Sequence, residues 1–461
     1  MDFGADAEHM RQPPESMKRR SLLLVVAVLL VCILPFQTGL DRLVQISNLP
    51  APAVWIVRLW KEVLIIALVA GVALKILEGT VVIRRNYGLA FVLWVLFFFF
   101  LLMRAPFDGN LLASAYAIRV YAEPLLAGLC IGIVFRAHVR VEKYVRILSV
   151  AMIVIALVGV AQVALPFSPL FVALRRSAAD VFGDLPNAFT VSILNQFRPF
   201  ATFSDPNDFG FFAVIVLVLC ICVGAGSRRL SYSASIFALT ALAISFSRSA
   251  LLAGVVGLAA AVTLQILYRP EVAAAISSRI LIATSVLVLS GAVILFLVGR
   301  EIPQLSHIAN TLSQADPSAQ GHVRSIVEGF GTVLRFPEGF GLGLVGPRAG
   351  LYGGAQKLYH VESSYLQIAL EAGLPAILLY ALAMLATLTA SWIDAASIGA
   401  YRQLGIAVTV VLAAAIGAYI FLPTIVSLQT GTLIWAVVGM ASVEKRHRSY
   451  RPALLAPERD L

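Results

Sequence analysis

Charge is scarce in this chain. Only 13% of its 461 residues are Asp, Glu, Lys or Arg, 60% are hydrophobic, and the mean hydropathy is +0.90. Soluble domains carry about 25% charged and about 45–50% apolar residues, so a soluble globular fold is excluded. Cysteine is scarce too. Cys32, Cys130, Cys220 and Cys222 all fall in apolar stretches. There they read as small buried hydrophobes, not as disulfides or metal ligands. The chain lacks an Asp-x-Asp motif and any His/Cys group with metal-ligand spacing. Internal repeats and low-complexity tracts are also missing. The net charge is +10, but the basic residues lie between hydrophobic runs, where they set orientation. A nucleic-acid partner is therefore rejected.

What the chain has is apolar runs of membrane-crossing length, for which about 17–25 residues are needed. Candidates are 21–36, 59–77, 87–103, 113–135, 145–165, 207–226, 232–246, 249–268, 280–298, 364–389, 404–421 and 424–440. The run 232–268 also reads as one broken helix, and 404–440 as a tight pair split near Pro423. Lys18-Arg19-Arg20 precedes the first run with no small-residue cleavage site after it, so that run reads as an uncleaved span. With the N-terminus inside and sides alternating, most of the 35 Lys and Arg residues fall on inner loops and tails. The expected fold is an all-α polytopic membrane protein. It has about 12 transmembrane helices, a large periplasmic loop before the tenth and both termini cytoplasmic. The layout is a tail at 1–20, helices 1–9 over 21–298, the loop at 299–363, helices 10–12 over 364–440 and a tail at 441–461.

Several charged residues fall where charge is expensive. Arg119 and Glu123 stand four apart inside the fourth run, either as a self-paired couple facing the bundle interior or as a substrate contact. Arg58, Lys61 and Glu62 begin the second run and read as snorkelling to the outer interface. Arg248 sits in Ser245-Phe-Ser-Arg-Ser-Ala with small hydroxyl residues around it and no acidic residue close in sequence. A guanidinium there suits an anion such as phosphate. Before the sixth run lies Phe197-Arg-Pro-Phe-Ala-Thr-Phe-Ser-Asp-Pro-Asn-Asp. Asn207 and Asp208 read as capping residues, and Arg198 as facing either headgroups or a polyanionic substrate.

The segment Gly299 to Ser363 is far longer than an ordinary connection, which points to work done in it. His322 to Phe330 reads as an amphipathic helix. It leads through Pro337 to Gly339-Phe-Gly-Leu-Gly-Leu-Val-Gly, whose glycines permit close backbone approach or a hinge. This is not a nucleotide fingerprint, since no strand precedes it and no Lys-Ser/Thr follows.

Taken in order, three segments resemble the O-antigen ligase and O-antigen polymerase superfamily. They are Arg198-Pro-Phe-Ala-Thr-Phe-Ser-Asp-Pro-Asn, Ser245-Phe-Ser-Arg-Ser-Ala, and Arg324 through Gly341-Leu-Gly to Tyr365-Leu-Gln-Ile-Ala-Leu-Glu-Ala-Gly-Leu-Pro. The resemblance covers roughly 190–385 and implies an inner-membrane glycosyltransferase acting on the periplasmic side. Its donor would be an undecaprenyl-diphosphate-linked oligosaccharide in the membrane lipid. Its acceptor would be lipid A-core in a ligase, or another lipid-linked glycan in a polymerase of O-antigen or exopolysaccharide. No cofactor, nucleotide sugar or metal is implied. The family's functional arginines match Arg248 and Arg324, and Arg198 joins them as a third diphosphate-binding candidate. Their charge would stabilise the departing diphosphate.

Ligases carry a His, then Asn, Ser or Gln, then nine residues, then Gly. Counting back from Gly373 places Glu362-Ser363 there, and His360 stands two residues earlier. Either Glu362 or His360 is thus the candidate catalytic base. A histidine has the better intrinsic pKa, whereas a carboxylate needs burial to raise it. Glu362 at the histidine position favours a polymerase. A transporter or flippase is the reading from another class, and the lack of an inverted repeat weakens it.

Overall fold

The computed structural model describes residues 14–47, 50–138, 141–174, 190–191, 196–268, 317–346, 361, 363–398, 400–422, 425 and 427–445. Thirteen α-helices among these dominate. They are α1 (Pro14–Ile33), α2 (Gln37–Ile46), α3 (Ala51–Leu77), α4 (Arg85–Arg104), α5 (Leu111–His138), α6 (Val141–Ala164) and α7 (Pro206–Cys222). There follow α8 (Arg228–Ser245), α9 (Arg248–Tyr268), α10 (Pro317–Arg335), α11 (Ser364–Ala396), α12 (Ala400–Phe421) and α13 (Leu428–Ser442). Eleven of the twelve expected runs lie on these helices. The run 280–298 is outside the described residues.

Seven helices among the described residues are long and apolar enough to cross a membrane. They are Leu22–Ile46, Arg85–Phe107, Leu111–Ala137, Val141–Ala164, Arg248–Tyr268, Ser364–Ala396 and Tyr401–Phe421. The first is longer than the expected 21–36, because a 3-10 turn at Leu34–Phe36 joins α1 to α2 without ending the rod. Helices α7 and α13 are apolar but shorter. Both are buried on nearly every face, as an all-round hydrophobic helix must be. Shielded by neighbours, they need not match the lipid thickness. Helix α3 carries Lys61 and Glu62 within it, and α8 opens on Arg228 and Arg229.

Small residues set the closest approach, between α5 and α13. A Cβ on Gly132 would lie 2.1 Å from the Ala436 carbonyl oxygen, and one on Gly439 would lie 2.4 Å from that of Leu129. This is the close packing that small residues permit between membrane helices. Of the four cysteines, Cys130, Cys220 and Cys222 are buried and Cys32 is exposed. The expectation of a buried Cys32 is corrected: its side of α1 faces outward.

The two ends of the bundle differ. At one end, strand β1 (Val81–Ile83) pairs antiparallel with β2 (Val443–Lys445). There Arg84 is bonded to Asp394, which also accepts from Asn86 Nδ2 at 3.2 Å. The Arg84 guanidinium lies 3.8 Å from the Tyr401 ring centroid, and that of Arg136 lies 5.1 Å from it. The opposite end gathers the start of α7, the α8–α9 break, the start of α11 and the segment 336–346. The sequence-based orientation makes this the outer end.

Candidate functional site

The segment 198–208 is held from three sides. In α6, the buried Gln162 accepts from the Phe200 and Ala201 amides at 3.1 and 2.9 Å. It donates back to the Ala201 carbonyl at 3.1 Å. This grip holds Ala201 at φ +49°, a region costly for a residue with a side chain. From the first span, Arg42 donates to the Ser204 carbonyl at 2.6 Å, and the Pro35 carbonyl accepts from Thr202 Oγ1 at 2.8 Å. From α13, Gln429 reaches the Thr202 carbonyl at 3.5 Å and donates to the Pro35 and Leu34 carbonyls at 3.0 and 3.2 Å. The segment then enters α7 through Asp205, whose side chain accepts from the Asn207 and Asp208 amides. The expected capping role of Asn207 and Asp208 is corrected. Asp205 is the cap, because its oxygen reaches both free amides of the first turn.

Asn207 instead holds Arg198. The guanidinium donates Nη2–H to Asn207 Oδ1 at 3.0 Å and Nε–H to the Ser245 carbonyl at 3.1 Å. Ser245 ends α8. Phe246 follows with left-handed backbone (φ +49°, ψ +31°), and α9 starts at Arg248. So the run 232–268 is broken, and the break holds Arg198 through the Ser245 carbonyl and carries Arg248 just after it. Ser247 Oγ accepts from the Ala250 amide at 3.2 Å, which seats Arg248 on the first turn of α9. Burial depresses the Arg198 pKa to about 10, with the nearby Arg248 charge pushing the same way and Asp205 opposing. Arg198 stays protonated at neutral pH. Arg248 has contacts in the fold, so its lack of acidic neighbours in sequence does not leave it without partners. Two arginines, the Asp205 carboxylate and the N-terminus of α9 thus lie in one neighbourhood.

The glycine-rich turn does not hinge freely. It lies against α11 where that helix is interrupted at Gly373 (φ +84°, ψ 177°). The Phe340 and Gly341 amides donate to the Leu370 and Glu371 carbonyls at 2.7 and 3.0 Å, and Leu374 N–H to the Pro337 carbonyl at 2.8 Å. A Cβ on Gly373 would lie 2.6 Å from the Pro337 carbonyl oxygen, and one on Gly343 2.5 Å from that of Ala113. The close approach that these glycines permit is to the protein's own backbone. Glu371, to which sequence reasoning gives no role, clamps the turn. Its buried carboxylate accepts from Tyr121 O–H at 2.7 Å and from the Gly343 and Val345 amides. Asp108 supports the same turn, accepting from the Leu342 amide at 2.9 Å and pairing with Arg104 at 3.1 Å. A glutamate inside an apolar run is itself a signal of function or pairing, so Glu371 was findable.

The other expected site residues divide. Arg324 lies on α10, which is helical as expected and packs on α11. Its side chain is 78% exposed and pairs with Glu328 at 2.6 Å. His360 and Glu362 lie outside the described residues, as do the loop positions 347–360. Lys61 and Glu62 do not simply snorkel. Lys61 pairs with Glu62 and Glu123 at 2.9 and 3.5 Å, and Arg119 with Glu123 at 3.3 Å and with Glu62. The expected Arg119–Glu123 couple is thus half of a four-residue network between α3 and α5.

Residues 233–381 match the O-antigen ligase family. This supports the O-antigen ligase and polymerase superfamily, and with it a glycosyltransferase-like activity in a bacterial membrane. The match contains Arg248, Arg324, the glycine-rich turn and Glu371. Arg198, Arg42 and Gln162 precede it and join the site only through the fold. No curated protein matches the chain.

Proposed function

We propose that this chain is an inner-membrane glycosyltransferase with its active site on the periplasmic side. It spans the membrane about twelve times and moves an undecaprenyl-diphosphate-linked glycan onto a sugar hydroxyl, without a metal or cofactor. The observation that carries this reading is that Arg198, from one motif, is bonded to the Ser245 carbonyl of the other, three residues before Arg248 opens α9. The acceptor oxygen attacks the anomeric carbon while the bond to the diphosphate oxygen breaks. Glu362 or His360 takes the acceptor proton, and undecaprenyl diphosphate leaves with its new charge held by Arg198, Arg248 and Arg324. A single displacement inverts the anomeric centre.

Polymerase is the favoured form, because Glu362 stands where ligases carry histidine. The ligase reading, with His360 as base and lipid A-core as acceptor, is favoured by the family description itself. Purified protein supplied with one lipid-linked repeat unit, with and without lipid A-core, separates them. A ladder of longer lipid-linked glycans without core means polymerase. Products only with core mean ligase. The inactive member of the Glu362→Ala and His360→Ala pair names the base.

A further inference from the structure

Three sectors run along α10. One packs on the start of α11. Gly329 lets the two helices close, since a Cβ there would lie 3.0 Å from Leu366 Cδ1, and Val333 is buried with Ala369 and Leu370. A second sector carries the exposed Arg324, Glu328 and Arg335. The third is apolar yet open. Val327, Phe330 and Leu334 are 65, 59 and 61% exposed, and their spacing of three and four residues puts them on one stripe.

The depth of α10 follows from α11, whose far end carries Asp394 at the inner end of the bundle. Residues 374–396, after the break at Gly373, span about 34 Å as helix, and the hydrocarbon core is about 30 Å thick. The turns before the break, where α10 packs, therefore lie at the membrane surface. Beyond its last residue, α10 runs into the turn that Arg104 holds by donating to the Glu338 and Ala372 carbonyls. Arg104 ends α4, whose last turns expose Phe99, Leu102 and Met103. The open stripe is thus tied to the lipid-facing surface of a span. A second copy of the chain would need about 800 Å² on each partner, more than three side chains on one helix supply. The outer leaflet fits instead, with the stripe against acyl chains and the arginine-bearing sector at the headgroups, the layout of an interfacial helix. We propose that α10 docks on the outer leaflet through Val327, Phe330 and Leu334. Arg324 then stands at the level of the lipid phosphates. The proposal rests on the orientation of the bundle, not on which reaction the chain performs.

The test uses the full chain, a single copy per phosphatidylcholine nanodisc, in a cysteine-free background whose thermal unfolding matches the parent. A fluorophore is attached through Val327→Cys, Phe330→Cys or Leu334→Cys, and through Glu328→Cys or Arg335→Cys as controls. Lipids with a nitroxide near the headgroup end of the acyl chain quench the first three about threefold or more above the controls, and aqueous iodide gives the reverse order. Phe330→Glu is a check that needs no label. This side chain is exposed in the fold, so a merely structural role predicts no change. Release from the leaflet predicts about tenfold faster hydrogen exchange over α10, with α11 beyond Gly373 unchanged. The proposal is overturned if both faces quench alike, or if iodide reaches the stripe first. It is equally overturned if another segment of the chain shields the stripe from both quenchers, or if Phe330→Glu exchanges like the parent.

Discussion

The two ends of the bundle use arginine in opposite ways. At the β1–β2 end, Arg84 meets Asp394, which is 1% exposed, and lies against the Tyr401 ring. Charge is closed on charge, and three helices are tied. At the opposite end, Arg198 donates to neutral oxygens of Ser245 and Asn207 and lies in the field of both the Asp205 carboxylate and a second arginine, Arg248. Two cations and one carboxylate leave an excess of positive charge at that point. The first arrangement is a structural tie, and the second is the one we propose as the diphosphate site.

Breaking each end should therefore give different losses. The largest effect is expected from Arg248→Ala, with transfer falling about 100- to 1,000-fold as for a lost transition-state donor. Protein level and thermal unfolding should stay near those of the parent. Normal glycan chain length in that variant would remove Arg248 from the site. Asp394→Ala should do the reverse. It strands Arg84 and costs about 3–5 kcal/mol of stability, while the folded fraction keeps its pyrophosphate affinity. Denaturation scans beside binding titrations read both.

Smaller effects sharpen the picture of the turn on α11. Glu371→Gln places amide hydrogens against the Gly343 and Val345 donors and should cost about 1–3 kcal/mol. Faster hydrogen exchange at those two amides is the diagnostic, and unchanged exchange would mean that the carboxylate does not clamp them. The smallest effect is expected from Glu328→Ala. Its exposed pair with Arg324 contributes little, so stability should not change, whereas Arg324→Ala should lower transfer. Equal activities of the two variants would show that Arg324 acts only as a surface charge.

Much of this was legible in the sequence, and the gaps have physical causes. The apolar runs translate into helices because lipid leaves the backbone few alternatives. Their ends shift where Pro35 is absorbed into a 3-10 turn and where α3 starts early at Ala51. The docking of Arg198 on the α8–α9 break beside Arg248 was not legible. It depends on a left-handed Phe246, which no glycine announces, and on the grip of Gln162 from another helix. The glycine-rich turn was seen but not its partner, since backbone packing on Gly373 leaves no residue pattern of its own. Arg84 and Asp394 are far apart in the chain, and neither carries a local motif.

The most direct test of the account is the affinity of undecaprenyl diphosphate for the protein in nanodiscs. The series is parent, Arg198→Gln, Arg248→Gln and the double variant. Two guanidiniums sharing one diphosphate predict that each single change weakens binding at least tenfold. They also predict that the double variant loses less than the product of the two, because neighbouring groups on one ligand are not additive. Parent-like affinity in either single variant, or a simple product in the double, would contradict a shared diphosphate site.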